Sequence, residues 1–127
     1  MLKLLIDTDV LIDFSKGKTE ILKKLLDLSA ESKAMLYITP VNIAEFLNDT
    51  FLLKYEDKMS GALEYLENFK IQSVDKKAGI LAGKYLREGS IEFIGDALIG
   101  GSCVAGGLKL VTRNKKHFNK VKDLELY

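Results

Sequence analysis

Short apolar runs of β character alternate along the chain with longer segments of helical period, and few architectures admit that alternation. Leu2 to Ile6, Met35 to Ile38, Lys70 to Val74 and Leu108 to Thr112 read as strands, with Leu124 to Leu126 as a possible edge strand. Each pair of strands is separated by at least one segment whose apolar residues recur every three or four positions. Parallel strands in one sheet need a crossover between them, and a helix supplies it, so the pattern predicts βαβ units around a parallel sheet. Leu2 to Ile6 is apolar except for Lys3, as expected of a strand covered on both faces. The 127 residues suit one domain, 1–127, that buries about two thirds of its unfolded surface.

Local signals mark where the helices begin and end. Asp9 is positioned to cap a short helix through Phe14 that stops at Gly17, and Thr19 to cap the next. Thr39-Pro40 combines a capping side chain with proline at the first helical position. Asp75 opens a further helix, Asp96 another, and Gly106-Gly107 closes the last. On the helix from Pro40, Val41, Glu45, Asn48 and Leu52 share one stripe. Phe46, Phe51 and Leu53 lie elsewhere around it, and one core face cannot cover them all. A second covering surface is therefore expected there, from a dimer mate or another protein.

The acids carry the chemistry. Asp7 closes the first strand, Glu45 lies one turn inside the Pro40 helix on an apolar stripe, and Asp96 opens the glycine-containing helix. Asn114 follows the fourth strand. In an open α/β sheet, groups at the carboxyl ends of strands share one crevice although they are distant in sequence. Two carboxylates about 4 Å apart repel by roughly 4 kcal/mol at an effective dielectric near 20. Three in one crevice call for protons or a cation, and hard oxygen ligands suit Mg²⁺ or Mn²⁺. Singly, each acid also has a plain reading as a cap or turn residue. The Gly100-Gly101 pair costs about 1 kcal/mol per residue in a helix, which calls for a reason such as close backbone packing.

Charge and cysteine content narrow the function further. Arg113, Lys115, Lys116, Lys120 and Lys122 fall in one stretch without an acid, while the rest of the chain is net acidic. Such a patch serves either as a polyanion contact or as a solvated charged face. Cys103 is the only cysteine, which excludes an internal disulfide or a cysteine zinc cluster and points to a reducing cytoplasm. Asp7 and Asp9 interrupt the N-terminal apolar run, so it does not read as a secretory leader. Ala97 to Leu108 is uncharged but too short to span a bilayer, and membrane insertion is not expected. Phosphate-cradling and dinucleotide glycine motifs are absent.

Four blocks then carry a family resemblance. Leu5-Ile6-Asp7-Thr8-Asp9-Val10-Leu11-Ile12-Asp13-Phe14 resembles the opening of PIN-domain ribonucleases, particularly VapC-type toxins of toxin–antitoxin pairs. Ile38-Thr39-Pro40-Val41-Asn42-Ile43-Ala44-Glu45-Phe46 resembles the second block, and Gly95-Asp96-Ala97-Leu98-Ile99-Gly100-Gly101 the third. Leu110-Val111-Thr112-Arg113-Asn114-Lys115-Lys116-His117-Phe118 resembles the last. The blocks stand in family order across nearly the whole chain. Two departures stand out: Asp9 replaces asparagine or serine, and Gly100-Gly101 an alanine pair; Asn114 falls where many members have a fourth acid and others an asparagine.

The resemblance implies a PIN-like three-layer α/β/α fold with a central parallel sheet of four to five strands. It implies an endoribonuclease using Mg²⁺ or Mn²⁺, with Asp7, Glu45 and Asp96 as catalytic metal site and Asn114 as a further ligand. Metal-activated water would hydrolyse RNA phosphodiester bonds; position and charge alone, apart from the resemblance, make Arg113, Lys115 and Lys116 the candidates to hold the RNA. A cytoplasmic homodimer silenced by a cognate antitoxin is also implied, with Phe46, Phe51 and Leu53 at one of those interfaces. Two other readings remain. Asp7-Thr8-Asp9 matches the D-x-D core of haloacid-dehalogenase-like phosphatases, although Leu11 does not fit that motif. A PIN-like binding module without activity is the other.

Overall fold

The computed structural model describes residues 1–48 and 57–127. Four parallel strands form one sheet: β1 (Leu2–Ile6), β2 (Ala34–Ile38), β3 (Lys70–Ile71) and β4 (Lys109–Val111), in the order β3-β2-β1-β4. Among the described residues six helices flank it: α1 (Thr8–Ser15), α2 (Glu20–Ala30), α3 (Pro40–Leu47), α4 (Asp57–Leu66), α5 (Lys76–Arg87) and α6 (Ile94–Ala105). The strand order grows outward from β1 to β3 and then returns to place β4 on the other side of β1. The switch point therefore lies at the β1–β4 pair, the place where an open parallel sheet leaves a crevice at its carboxyl edge.

Pleating sends successive residues of β1 into different layers. Leu4 and Ile6 join Val10, Leu22, Leu25, Leu36 and Ile38 in the core beneath α1 to α4. Leu5, between them, packs with Ala82, Ile99, Leu110 and Phe118 in the core beneath α5, α6 and the C-terminal segment. Both faces of β1 are covered, which explains why it is nearly uniformly apolar. The candidate edge strand contributes a single parallel bridge, Leu110 to Leu126. β3 is two residues long, although the ladder continues where the Gln72 amide donates to the Ile38 carbonyl at 2.8 Å.

The local signals resolve unevenly. Thr39 caps α3 as expected: its hydroxyl accepts from the Asn42 amide at 3.2 Å, and Asn42 Oδ1 accepts from the Thr39 amide at 2.8 Å. Asp75 caps α5 by accepting from the Ala78 amide at 2.9 Å. Asp9 does not cap α1. The helix begins at Thr8, so Asp7 takes the cap and accepts from the Thr8 amide at 2.9 Å. Thr19 precedes α2 without a side-chain capping bond. α6 starts two residues before Asp96, at Ile94, which leaves the Asp96 carboxylate in the first turn instead of at the cap.

Phe46 corrects the expectation of an exposed aromatic face on α3. It is 2% exposed, and its ring lies 5.5 Å from that of Tyr65 on α4. Phe14 and Phe69 also meet Tyr65, with ring centroids 5.5 and 5.6 Å away, and the Tyr65 hydroxyl donates to the Leu11 carbonyl. The reason is that α3 touches two cores. Ile43, Phe46 and Leu47 pack with the α1–α4 layer, whereas Val41 packs with the α5–α6 layer. A helix seated between two layers buries more of its circumference than one resting on a single face. Phe51 and Leu53 lie outside the described residues.

The glycine pair of α6 has a packing cause. A Cβ on Gly101 would stand 2.5 Å from the Ala78 carbonyl oxygen and 3.2 Å from the Ala82 amide nitrogen of α5. Backbone here meets backbone, and no side-chain rotation relieves that contact. Only glycine lets α5 and α6 approach so closely, and the approach fixes where the N-terminal end of α6 points.

Candidate active site

At the carboxyl edge of the sheet, main-chain pairing runs one residue beyond β1: the Asp7 amide donates to the Val111 carbonyl at 2.9 Å. Asp7 is thereby held at the switch point with 4% of its surface exposed. Its Oδ1 accepts from the Thr8 amide, and its Oδ2 accepts from the Thr112 hydroxyl at 2.7 Å. Burial pushes this carboxyl from 3.8 up to about 6; the two hydrogen bonds act against that shift, and negative Asp9 and Asp96 add to it.

A second chain of bonds reaches Glu45. The Asn42 side-chain amide donates to the Thr8 hydroxyl at 3.0 Å, and that hydroxyl donates to Glu45 Oε1 at 2.6 Å. Asn42 is fully buried and fixed by its capping bonds to Thr39, so a local cap also orients Thr8. Glu45 itself is exposed instead of lying at the core boundary. Its Oε2 sits 3.1 Å from where a Cβ of Gly95 would be. Glycine beside Asp96 therefore leaves space for this carboxylate, and α3 and α6 meet at the mouth of the crevice.

Asp96 completes the group from the third side. Its Oδ2 lies 3.2 Å from His117 Nδ1, in the short 3-10 turn Lys115–His117. Burial raises its carboxyl, His117 lowers it, and Asp9 raises it further. Asp9 thus bears on both Asp7 and Asp96. The Asn114 side-chain amide donates to Asp9 Oδ2, and the Asn114 backbone amide donates to the Thr112 hydroxyl at 3.0 Å.

The crevice therefore gathers Asp7, Asp9, Glu45 and Asp96 with Asn114 at its edge. Among the described residues, no three acidic, histidine or cysteine side chains stand close enough together to hold a metal as they are. Thr8, Thr112 and His117 occupy oxygens of Glu45, Asp7 and Asp96 respectively.

The basic stretch divides around this crevice. Arg113 Nε pairs with Asp13 of α1 at 2.7 Å, so it is turned away from Asp96 and toward the α1 side. Lys115 and Lys116 are exposed on the 3-10 turn, and Lys116 lines the same hollow as His117. Sequence reasoning takes Asp9 for a cap and gives Thr8, Thr112 and Asn42 no role. The only available signal for Asn42 was its position three residues after Thr39, where a reciprocal cap forms. Cys103 is a buried thiol that donates to the Leu108 carbonyl, and burial pushes it up to about 12, which leaves it no nucleophilic role.

Comparison with known proteins agrees with this geometry. No curated protein sequence matches the chain. The fold is shared with VapBC2 from Rickettsia felis bound to a promoter DNA fragment, at TM-score 0.84 and 21% identity over 99% of this chain and 98% of that one. DNA-bound VapBC from Salmonella typhimurium is similar at TM-score 0.84 and 22% identity, covering 100% of this chain and 98% of that one. A toxin–antitoxin complex from Klebsiella pneumoniae follows at TM-score 0.74 and 23% identity, covering 95% and 94%. The family model of the PIN domain matches residues 4–124, from within β1 to beyond β4, and takes in every acid of the crevice. The chain belongs to the PIN-domain family of nucleases.

Proposed function

We propose that residues 1–127 act as one metal-dependent endoribonuclease unit, the toxin of a toxin–antitoxin pair. The observation that carries the reading is the convergence at the switch point of the buried Asp7 carboxylate with Asp9, Glu45 and Asp96. Such a site holds surplus negative charge, and its donors are hard oxygens, the kind that Mg²⁺ or Mn²⁺ takes. Asp7, Glu45 and Asp96 would hold the cation, with Asn114 offering a carbonyl oxygen. Glu45 and Asp96 would have to give up Thr8 and His117, a hydroxyl and an exposed imidazole. When bound, the cation supplies charge neutralisation and Lewis acidity for phosphodiester hydrolysis.

The chain's own groups do the positioning. Thr112 and the Thr8 amide orient the Asp7 carboxylate, and Asn42 orients Thr8, which in turn steers Glu45. Lys115 and Lys116 are placed to meet phosphates of the RNA, whereas Arg113 is already engaged by Asp13. The toxin–antitoxin and VapBC assemblies among similar folds support an antitoxin partner. Residues 51 and 53 remain candidates for that interface or for a homodimer. A cytoplasmic site of action belongs to the same proposal; among the described residues no helix is long and apolar enough to cross a membrane.

Purified protein incubated with single-stranded RNA is expected to cut it in Mn²⁺ and to leave it intact in chelator. Hydrolysis of p-nitrophenyl phosphate without RNA cleavage would favour the phosphatase reading instead. Inertness toward both would leave the binding module.

Asn114→Asp tests the edge of the site. In metal-free buffer the new carboxylate would face Asp9 and lower the melting temperature. With Mn²⁺ it adds a negative ligand, and calorimetric titration is expected to show binding about tenfold tighter. Unchanged Mn²⁺ affinity would place residue 114 outside the metal's reach.

A further inference from the structure

Beside Asp96 lies a shallow pocket of about 150 Å³ whose lining includes Phe93, Lys116, His117 and Lys120. Phe93 ends the loop before α6 and is 55% exposed, with its ring 6.0 Å from that of His117 and tilted by 48°. A large aromatic at this exposure has no part in either core, and it makes no capping bond to α6. Among the described residues Lys116 and Lys120 have no acidic partner within ion-pair distance.

We propose that this pocket is the subsite for the nucleotide next to the bond being cut, its base stacked on Phe93 and its phosphate held between Lys116 and Lys120. The proposal rests on the nuclease reading and adds to it a path for the RNA. An exposed aromatic ring flanked by unpaired lysines is the arrangement that single-stranded nucleic acid uses, because every base offers a π-face and every linkage a negative charge. His117 joins the pocket to the acidic crevice, since it touches both Phe93 and Asp96. Glu92 also lines the pocket and would repel a terminal phosphate dianion, so an internal phosphodiester fits better. Beyond it a second hollow of about 530 Å³ shares Lys120 and adds Lys84 and Lys122 beside Glu88 and Asp123, so its lining keeps a small positive excess leading away from the acidic crevice. Duplex RNA cannot present an unstacked base to Phe93, so single strands are the substrate this geometry selects.

The test compares wild type, Phe93→Ala, Phe93→Leu and Phe93→Tyr, each confirmed folded by circular dichroism. Binding of a fluorescein-labelled single-stranded RNA is measured in chelator, and cleavage in Mn²⁺. Phe93→Ala is expected to weaken binding about tenfold and to raise KM by a similar factor with kcat nearly unchanged. Phe93→Tyr should restore the loss, whereas Phe93→Leu, apolar but without a ring face, should not. Lys120→Gln should flatten the salt dependence of binding by a slope of about 0.7. Wild-type cleavage that Phe93→Ala leaves unaltered overturns the subsite and spares the nuclease. Equal rescue by leucine and tyrosine also overturns it, as does unchanged RNA binding with a shifted mass in solution, which makes Phe93 a protein contact. A wild type that neither binds nor cuts RNA overturns both readings.

Discussion

Asp7→Asn is expected to melt above the wild type in metal-free buffer at pH 8 and to lose RNA cleavage about 100-fold or more. The first effect follows from the Asp7 carboxyl, raised from 3.8 to about 6 by burial. The folded chain then binds a proton more readily than the unfolded chain, so stability declines as pH rises from about 4 to 6, and the deficit is complete above that window. A shift of this size corresponds to about 3 kcal/mol. Asparagine keeps one acceptor and sacrifices the other, which returns about 1 kcal/mol of the gain. A net gain of about 2 kcal/mol would raise the melting temperature by roughly 6 °C in a domain of this size. At pH 4 the difference should shrink or reverse. Mn²⁺ should stabilise the wild type, by lifting the same deficit, far more than it stabilises the variant. A variant that melts below the wild type at pH 8, or gains as much from Mn²⁺, removes Asp7 from the cation site.

Phe46→Ala should lose about 4 kcal/mol, because a buried ring is replaced by a cavity bordered by Tyr65 and the α1–α4 core. That is a large part of the margin of roughly 5–15 kcal/mol that a domain usually has. Urea denaturation should show a markedly lower midpoint with the mass in solution unaltered. An unchanged midpoint with a drop in mass would make Phe46 an interface residue after all.

Phe46 also shows where reading the sequence stops. The Thr39-Pro40 start of α3 was legible because a cap is local chemistry, confined to four residues. Which way the sides of that helix face depends on two cores built from segments far away, so helical periodicity counted one face where there are two. The strands behave likewise. β1 was plain from its unbroken apolar run, but β3 is a two-residue edge whose length reflects pairing with β2 and not its own composition.

The acidic crevice divides along the same line. Asp7, Glu45 and Asp96 stood out by their positions at element boundaries, and the structure gathers them at one edge of the sheet. Asp9 looked like a cap because Thr8 was not recognised as the first residue of α1. Its actual bond to Asn114 spans 105 residues, as does the bond from Thr112 to Asp7. No local pattern encodes contacts at that separation. Gly101 lies between these cases: its oddity in a helix was visible, but the Ala78 carbonyl that explains it was not.

The strand order has a consequence in time. β1 is made first, yet its outer neighbour β4 is made last, and Asp7 is not held until Thr112 and Val111 lie beside it. A chain still emerging from the ribosome carries Asp7 and Asp9 early but has no assembled crevice until residues 111–114 have followed. This topology withholds the crevice until β4 has joined the sheet beside β1, so the acids spend the early part of synthesis apart.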